Sequence, residues 1–452
     1  MDNSKQATLE LGTKPVGKLL MQYALPAIAA MTAASLYNMT DSIFIGQGCG
    51  ALAISGLAVT FPLQNLAAAF GAGIGVGAST CISVKLGQKD YATAERVFGN
   101  AVTLNLIIGI AFSVVTLLFL NPILRFFGAS DATLPYAREY MVVTLVGNVI
   151  SHMFLGMNAI LRAASKPRSA MMASIMSVAF NAILSPIFIW PLNMGIGGAA
   201  LATIISQTIV LIWQFRIFSD KRCIVHFKRG IYRPVAHIFK NIIAIGMSPF
   251  AMNVCSCIVI IFINNALTTH GGDLAVGAFG ITNKIAFLFI MINMGMNQGM
   301  FPIAGYNYGA HNYDRLLSVM KYTMMVTVSI ATLGFIVSQT IPYECARLFT
   351  TDETLIRISG HAIRVNMIIF PVVGVQMVCT GFFQSIGKAK ISMLLSLSRQ
   401  LLFFLPLLLI LPNYYQVDGV WYSQPISDFI SAIVAVTMLL NYIKRLKNEK
   451  TC

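Results

Sequence analysis

A chain of 452 residues that is 57% hydrophobic and only 10% charged, with a mean hydropathy of +0.75, lacks the polar surface of a soluble globular protein. Its formal net charge of +15 invites a nucleic-acid reading, but most of the 31 Lys and Arg residues gather in alternate connections between apolar runs. That arrangement is a signature of membrane topology and of contact with anionic lipid.

The apolar runs are long enough to cross a hydrocarbon core of ~30 Å. Twelve spans are predicted, over 16–46, 52–83, 96–120, 133–163, 169–192, 197–218, 240–268, 274–305, 317–342, 355–385, 391–411 and 418–443. No cleavable leader is expected, because the first run has no short core followed by a small-residue cleavage site. An even number of spans returns the C-terminus to the side of the N-terminus. That side collects Lys85, Lys89, Lys166, Arg168, Lys221, Arg222, Lys228 and Arg229, which places both termini in the cytoplasm. The longest polar break holds Lys228-Arg229-Gly230 and Arg233-Pro234. It divides an N-terminal six-helix lobe (1–218) from a C-terminal one (240–452) by a cytoplasmic linker (219–239).

The two halves repeat each other at one constant offset. Leu52-Ala53 answers to Leu274-Ala275, Val59-Thr60 to Ile281-Thr282, and Gly73 and Gly77 to Gly295 and Gly299. Gly87-Gln88-Lys89-Asp90-Tyr91 answers to Gly309-Ala310-His311-Asn312-Tyr313, and Gly197 to Gly419. Halves with an even number of spans share one orientation, so an axis along the membrane normal relates them. The expected fold is an all-α polytopic membrane protein, with twelve transmembrane helices in two parallel six-helix repeats around a central cleft.

Polar residues inside spans are the functional candidates. Asp41 puts a carboxylate into the first span, at a cost of roughly 2.5–3.5 kcal/mol for a lone charge in hydrocarbon. Tyr37 and Asn38 share its helical face at i−4 and i−3. An acid that merely reaches the interface is the bland alternative; a titratable coupling site is the sharper one. Asn181 and Ser185 lie one turn apart on the fifth span, and Thr203 near the start of the sixth, at the depth of Asp41. Such a carboxylate with amide and hydroxyl neighbours can hold a proton or offer hard oxygen ligands to a small cation, with Na+ a candidate at Asp41, Asn181 and Thr203. Ordinary interhelical hydrogen bonding explains the neutral members equally well.

Pro26 lies in the same helix as Asp41 and permits a bend, with Pro249 at nearly the matching place in the second half. The second half has no acid equivalent to Asp41. It carries Lys284, Arg399 and Asp428, which could form internal ion pairs. Gln64, Met153, Asn158, Asn253, Met291, Met294 and Asn297 are the expected cleft-lining residues, since methionine surfaces adapt to varied apolar shapes. Gly71-x-Gly73-x-Gly75-x-Gly77 lacks a preceding strand and a Walker lysine, so helix packing explains it better than phosphate binding. No enzyme constellation, resident metal or cofactor site is expected. The cysteines read as small buried hydrophobes, and His152 as a satisfied core histidine.

Three stretches carry a family resemblance: Leu36-Tyr37-Asn38-x-x-Asp41-x-Ile43-Phe44-Ile45-Gly46, Gln298-Gly299-x-x-Pro302-Ile303-x-Gly305-Tyr306-Asn307-Tyr308-Gly309-Ala310, and Gly197-Gly198-Ala199-Ala200-Leu201-Ala202-Thr203. They resemble the MATE (multidrug and toxic compound extrusion) family over nearly the whole chain, the second stretch its bacterial multidrug exporters. The resemblance implies an antiporter, multi-pass in the bacterial cytoplasmic (inner) membrane, that expels cationic or amphipathic drugs as protons or sodium ions enter. It also implies a first-lobe site of Asp41, Asn181, the residue at 185 and Thr203. Many relatives carry an acid before the Pro-Ile-Phe-Ile of the fifth span, where this chain has Ser185, a departure that favours protons. The expected partners are drug-like molecules and lipid, with no nucleic acid and a monomeric chain. A flippase for lipid-linked precursors shares the architecture, though Lys284 and Arg399 are too few to make its cationic cleft; an ion channel is the rival from another class.

Overall fold

The computed structural model describes the backbone of residues 2–49, 51–349 and 352–451, and within these the side chains of all but 2–5, 7, 34, 36–43, 46–47, 51–52, 54–55, 273 and 447–451. The described chain is helical, without a β-strand. Span 1 is Val16–Cys49, span 2 Ala51–Gly87, span 3 Tyr91–Leu118, span 5 Pro167–Ile189 and span 6 Gly195–Ser219. Span 4 is a bent pair, Leu134–Val146 and Asn148–Ala163. Spans 7 and 8 are Ala236–Gly272 and Leu274–Gly309, followed by span 9 at Tyr313–Thr340. Span 10 is a second bent pair, Glu353–Asn366 and Phe370–Ser385, and spans 11 and 12 are Ala389–Ile410 and Pro412–Leu446.

Nine helices among the described residues pass for membrane crossings by length and apolarity, and the two bent pairs raise this to eleven. The 34-residue helix at the place of the first predicted span supplies the twelfth. At 1.5 Å per residue it is long enough with turns to spare.

The bends were not anticipated from sequence. Span 4 turns by 57° and span 10 by 53°. Gly147 sits at the first break, where a Cβ would fall 2.5 Å from the Ile204 side chain. The second break precedes Pro371, which lacks an N–H to continue the earlier helix and is accepted in the first turn of the new one. The repeat is thus legible in the backbone as well as the sequence. Left-handed residues recur at matching places: Lys89 (φ 61°) with His311 (φ 55°), and Ser165 (φ 61°) with Gly387 (φ 75°).

Two compact units divide the chain. The first comprises Met1–Lys14, Leu25–Phe250 and Gly305–His311. Its core gathers Ile45, Leu63, Leu124, Met141, Leu145 and Ile196. Span 2 is its spine. A Cβ on Gly71 or Gly75 would meet His152 or Gly156 of span 4 at 2.9 and 3.0 Å, and one on Gly77 would lie 2.1 Å from the Ile242 carbonyl of span 7. Backbones therefore touch where only glycine leaves room.

Two further glycines make a reciprocal contact. A Cβ on Gly87 would fall 2.0 Å from the Tyr306 carbonyl, and one on Gly309 2.0 Å from the Val84 carbonyl. Gly87 and Gly309 are repeat mates, as are Val84 and Tyr306, so the local two-fold passes between them.

A helix before the first span, Asp2–Thr13, packs beside this contact. Leu11 and Thr8 are buried; Asn307 donates to the Leu11 carbonyl at 3.0 Å, and the Thr8 and Ser165 hydroxyls lie 3.3 Å apart. The segment between spans 6 and 7 is strapped to span 3. Asn100 donates to the carbonyls of Ile231 and Arg233 and accepts from the Val235 N–H, while Phe98 packs on Phe218 and Phe227.

The second unit comprises Pro15–Ala24, Ala251–Ala304 and Asn312–Cys452. One cluster joins Val259, Ile263, Leu267, Phe404, Leu408 and Trp421, and another Ile281, Ile285, Ile356, Ile363 and Phe370. Gly299 of span 8 lets the backbone of span 1 approach, a Cβ there falling 2.7 Å from the Ala24 Cα. The unit boundaries in spans 1 and 7 fall next to Pro26 and Pro249. Those are the places where a helix has lost a backbone hydrogen bond and bends most easily.

Candidate functional site

Three of the residues singled out from sequence form one hydrogen-bonded chain in the first unit. The Asn181 amide donates to the Thr203 hydroxyl at 2.8 Å, and the Ser185 hydroxyl donates to the Asn181 carbonyl oxygen at 3.0 Å. Thr203 itself donates to the Ala199 carbonyl one turn earlier. Asn181 and Ser185 are buried, at 3% and 0% exposure. In an apolar surround each bond is worth about 1 kcal/mol, and an orphaned partner would cost more. The side chains of Asp41, Tyr37 and Asn38 lie outside the described residues. The backbone of Asp41 is helical and stands just over two turns before Cys49 at the end of span 1. Asn181 lies the same distance before the end of span 5, and Thr203 the same distance after the start of span 6. All three therefore sit at one level of their helices.

Above this chain is a carboxylate that sequence reasoning passed over. Glu139 accepts the Gly197 N–H at 3.0 Å at the start of span 6. A helix N-terminus presents free N–H groups and the positive end of its dipole, so it favours an anion there. A Cβ on Gly197 would fall 2.7 Å from the Glu139 Oε1, so the carboxylate lies directly against the helix start. The available signal was the glycine-rich helix start itself, which needs a partner for its orphan donors.

The expected cleft residues take diverse places. Gln64 is half-buried, donating to Thr60 at 2.7 Å and accepting from the Tyr140 hydroxyl at 3.5 Å. Met153 and Asn158 are buried. Asn158 donates to the Ala170 carbonyl and to Ser174, and accepts from Arg162, which commits it to joining spans 4 and 5. In the second unit Met291 and Met294 are half-buried, Asn253 is exposed, and Asn297 is buried with a 3.5 Å bond to the Met377 carbonyl.

His152 departs from the sequence expectation of a satisfied core residue. It is fully buried, and neither ring nitrogen has a hydrogen-bond partner among the described residues. Phe112 and the close approach of Gly71 leave it enclosed by apolar and backbone groups.

The second unit has its own polar centre. Arg399 and Asp428 face each other at 3.8 Å, with side-chain exposures of 18% and 5%. Gln424 donates to Asp428 Oδ2 at 3.0 Å, and Ser427 to the Arg399 carbonyl at 2.8 Å. The backbone of span 11 opens into a π-helical stretch, Ser398–Phe404, that carries Arg399 and Gln400. Such wide turns re-aim side chains and cluster at functional places. Gln400 in turn donates to Ser256 of span 7 at 2.9 Å. Lys284 takes no part; it is exposed, 5.6 Å from the centre of the Phe349 ring.

Comparison with known proteins bears on the fold and the family. The MatE family model matches twice, over residues 26–187 and 249–410. The chain is 28% identical over 437 residues to the multidrug export protein MepA of Staphylococcus haemolyticus, covering 96% of this chain and 95% of that one. It is 27% identical over 431 residues to MepA of Staphylococcus aureus strain N315, with coverage of 95% and 94%. A solved MATE structure in a bent conformation superposes with a TM-score of 0.93 at 26% identity, covering 98% of this chain and 99% of the other. An outward-facing multidrug resistance MATE family transporter of the MOP superfamily superposes at 0.91 and 26%, covering 97% and 98%.

Proposed function

This chain belongs to the MatE family, and we propose that it is an antiporter in the bacterial cytoplasmic membrane that expels cationic or amphipathic molecules in exchange for entering ions. The observation that carries the reading is the largely buried Asn181–Ser185–Thr203 chain, level on its helices with Asp41. A carboxylate held among apolar spans has few stable states: it pairs, coordinates or takes up a proton. Each change alters the charge of the first repeat and so the packing it prefers. Ion entry supplies about 2.3 kcal/mol per charge per 100 mV, plus the concentration gradient.

Protons suit this site better than sodium. A small metal cation needs several oxygen ligands. Here the Asn181 oxygen already accepts from Ser185 and its amide is spent on Thr203, while position 185 offers a hydroxyl and not a second carboxylate. Pro26 supplies the hinge of span 1, beside the boundary at which that helix passes from one compact unit to the other. The basic connections on the N-terminal side support a cytoplasmic location for both termini.

The test is efflux of a fluorescent cationic dye from proteoliposomes, with proton and sodium gradients imposed separately. Export should follow the proton gradient and be abolished by a protonophore. Dye movement indifferent to both gradients would overturn the antiport reading, and export driven by sodium alone would overturn the choice of ion.

A further inference from the structure

The two polar centres occupy equivalent helices. By the offset that pairs Gly197 with Gly419, spans 11, 12 and 7 repeat spans 5, 6 and 1. Arg399 and Asp428 stand where the first repeat has Ser177 and Ser206, one helical turn from Asn181 and Thr203. Ser256, reached by Gln400, lies on the repeat mate of the Asp41 helix. The same scaffold therefore carries a polar cluster twice, a turn apart in depth.

The second cluster has the form of a cation site with an internal occupant. Asp428 is 4% exposed and sits mid-span. One carboxylate oxygen accepts from Gln424, while Oδ1 accepts no hydrogen bond among the described residues and faces the guanidinium at 3.8 Å. That separation is wider than a charge-assisted hydrogen bond, so the guanidinium acts as a nearby charge and not a tight fork. Gln400, next to Arg399 on the same π-helical turn, also has a buried carbonyl oxygen without a partner among the described residues. Other charges on the packed elements lie towards the span ends: His361 pairs with Asp418 near the start of span 12, and Lys388 stacks over Tyr442 near its end. Cys379 of span 10 is a buried neutral thiol. Arg399 is the charged group acting on Asp428 among the described residues.

We propose that Asp428 is the second repeat's monovalent-cation site and that Arg399 is its tethered cation, which keeps that repeat permanently in the loaded form. The proposal rests on the reading of the first cluster as an ion site only for its analogy. A structural pair alone is a weak reason to keep two charges in a membrane, since buried ion pairs seldom stabilise more than apolar packing. A fixed guanidinium, in contrast, frees the second repeat from needing an ion and confines ion-driven change to the first.

The test reads stability rather than transport, so its failure is distinct from failure of the antiport reading. Full-length protein carrying Asp41→Asn, which silences the first site, is purified in detergent and unfolded thermally in NaCl or choline chloride, at pH 6 and pH 8. This background should be indifferent to the cation. With Arg399→Met added, the midpoint should rise by about 2–4 °C in sodium over choline, or at pH 6 over pH 8, because Asp428 now takes an external cation or proton. The two arms distinguish sodium from proton. Adding Asp428→Asn to that pair should erase the dependence and recover stability, and Arg399→Lys in place of Met should show none. If Arg399→Met prevents accumulation, recovery by Asp428→Asn supports the proposal, and its failure overturns it. An Arg399→Met protein that melts alike in every condition also overturns it.

Discussion

The two repeats share their helices, bends and left-handed turns, yet their polar centres use opposite chemistry. In the first, neutral groups on Asn181, Ser185 and Thr203 bond to one another, and the Glu139 carboxylate is held by a backbone N–H at the start of span 6. In the second, a carboxylate and a guanidinium neutralise each other within the protein. The lesson is about cost. Neutral hydrogen bonds can be exchanged for about 1 kcal/mol each, whereas a buried charge stripped of its partner costs several. The first centre is therefore suited to changing state and the second to staying put.

The sharpest way to break this comparison is to remove one acid from each repeat. Asp41→Asn should reduce gradient-driven efflux to the protein-free background while leaving the thermal midpoint within a degree or two, because an amide keeps the shape of the carboxylate. Retained efflux would remove Asp41 from the mechanism. Asp428→Asn should do the reverse in stability, costing about 1–3 kcal/mol because the largely buried Arg399 loses its counter-charge. Equilibrium unfolding or yield from the membrane checks it. If both variants lose transport and neither loses stability, the division of labour between the repeats is wrong.

A smaller effect tests the symmetry itself. Gly87 and Gly309 each approach the other repeat's carbonyl so closely that an added Cβ would fall at 2.0 Å. Gly87→Ala and Gly309→Ala should each cost about 1–3 kcal/mol, and by similar amounts, since the contacts are mates across the local two-fold. Thermal unfolding of the two single variants measures this. A large inequality would show that the reciprocal contact is accidental and that only one of the glycines is needed.

The spans were legible because a run of apolar residues the width of a bilayer leaves little choice of structure. The repeat was legible because paired glycines such as Gly77 and Gly299, or Gly87 and Gly309, pack against backbone in both copies. The bends in spans 4 and 10 were not, since Gly147 is an ordinary residue for a membrane helix until Ile204 is seen against it. The π-helix around Arg399 was not read either, although Pro406 just beyond Ser398–Phe404 removes a backbone donor and crowds the carbonyl one turn before it. Among the site residues, the Asn181–Ser185–Thr203 chain could be read because i, i+4 spacing puts two of them on one face. Asn158 was misleading, as a buried asparagine serves interhelical bonding as readily as a ligand. Glu139 was missed because its partner is a backbone N–H, which no side-chain pattern reveals.

The finest difference between the repeats is at the start of spans 3 and 9. Asp90 and Asn312 are repeat mates in nearly identical backbone conformation, φ −88° and ψ 72° against φ −89° and ψ 71°. Asp90 caps its helix by accepting the Thr93 N–H at 3.1 Å, whereas Asn312 makes no such bond. Thr93's side-chain and backbone donors, with Lys85 behind them, hold the Asp90 carboxyl below its usual pKa. Asp90→Ala should therefore destabilise by about 1 kcal/mol, and Asn312→Ala by only a few tenths. A depressed carboxylate pKa gives stability that is present above the unfolded value and lost as pH falls through the folded one. The gap between wild type and Asp90→Ala should accordingly narrow as pH drops below about 4, while the Asn312→Ala gap stays flat. Equal and pH-independent gaps in the two melting series would mean that the Asp90 contact is a feature of the shared loop and not of its charge.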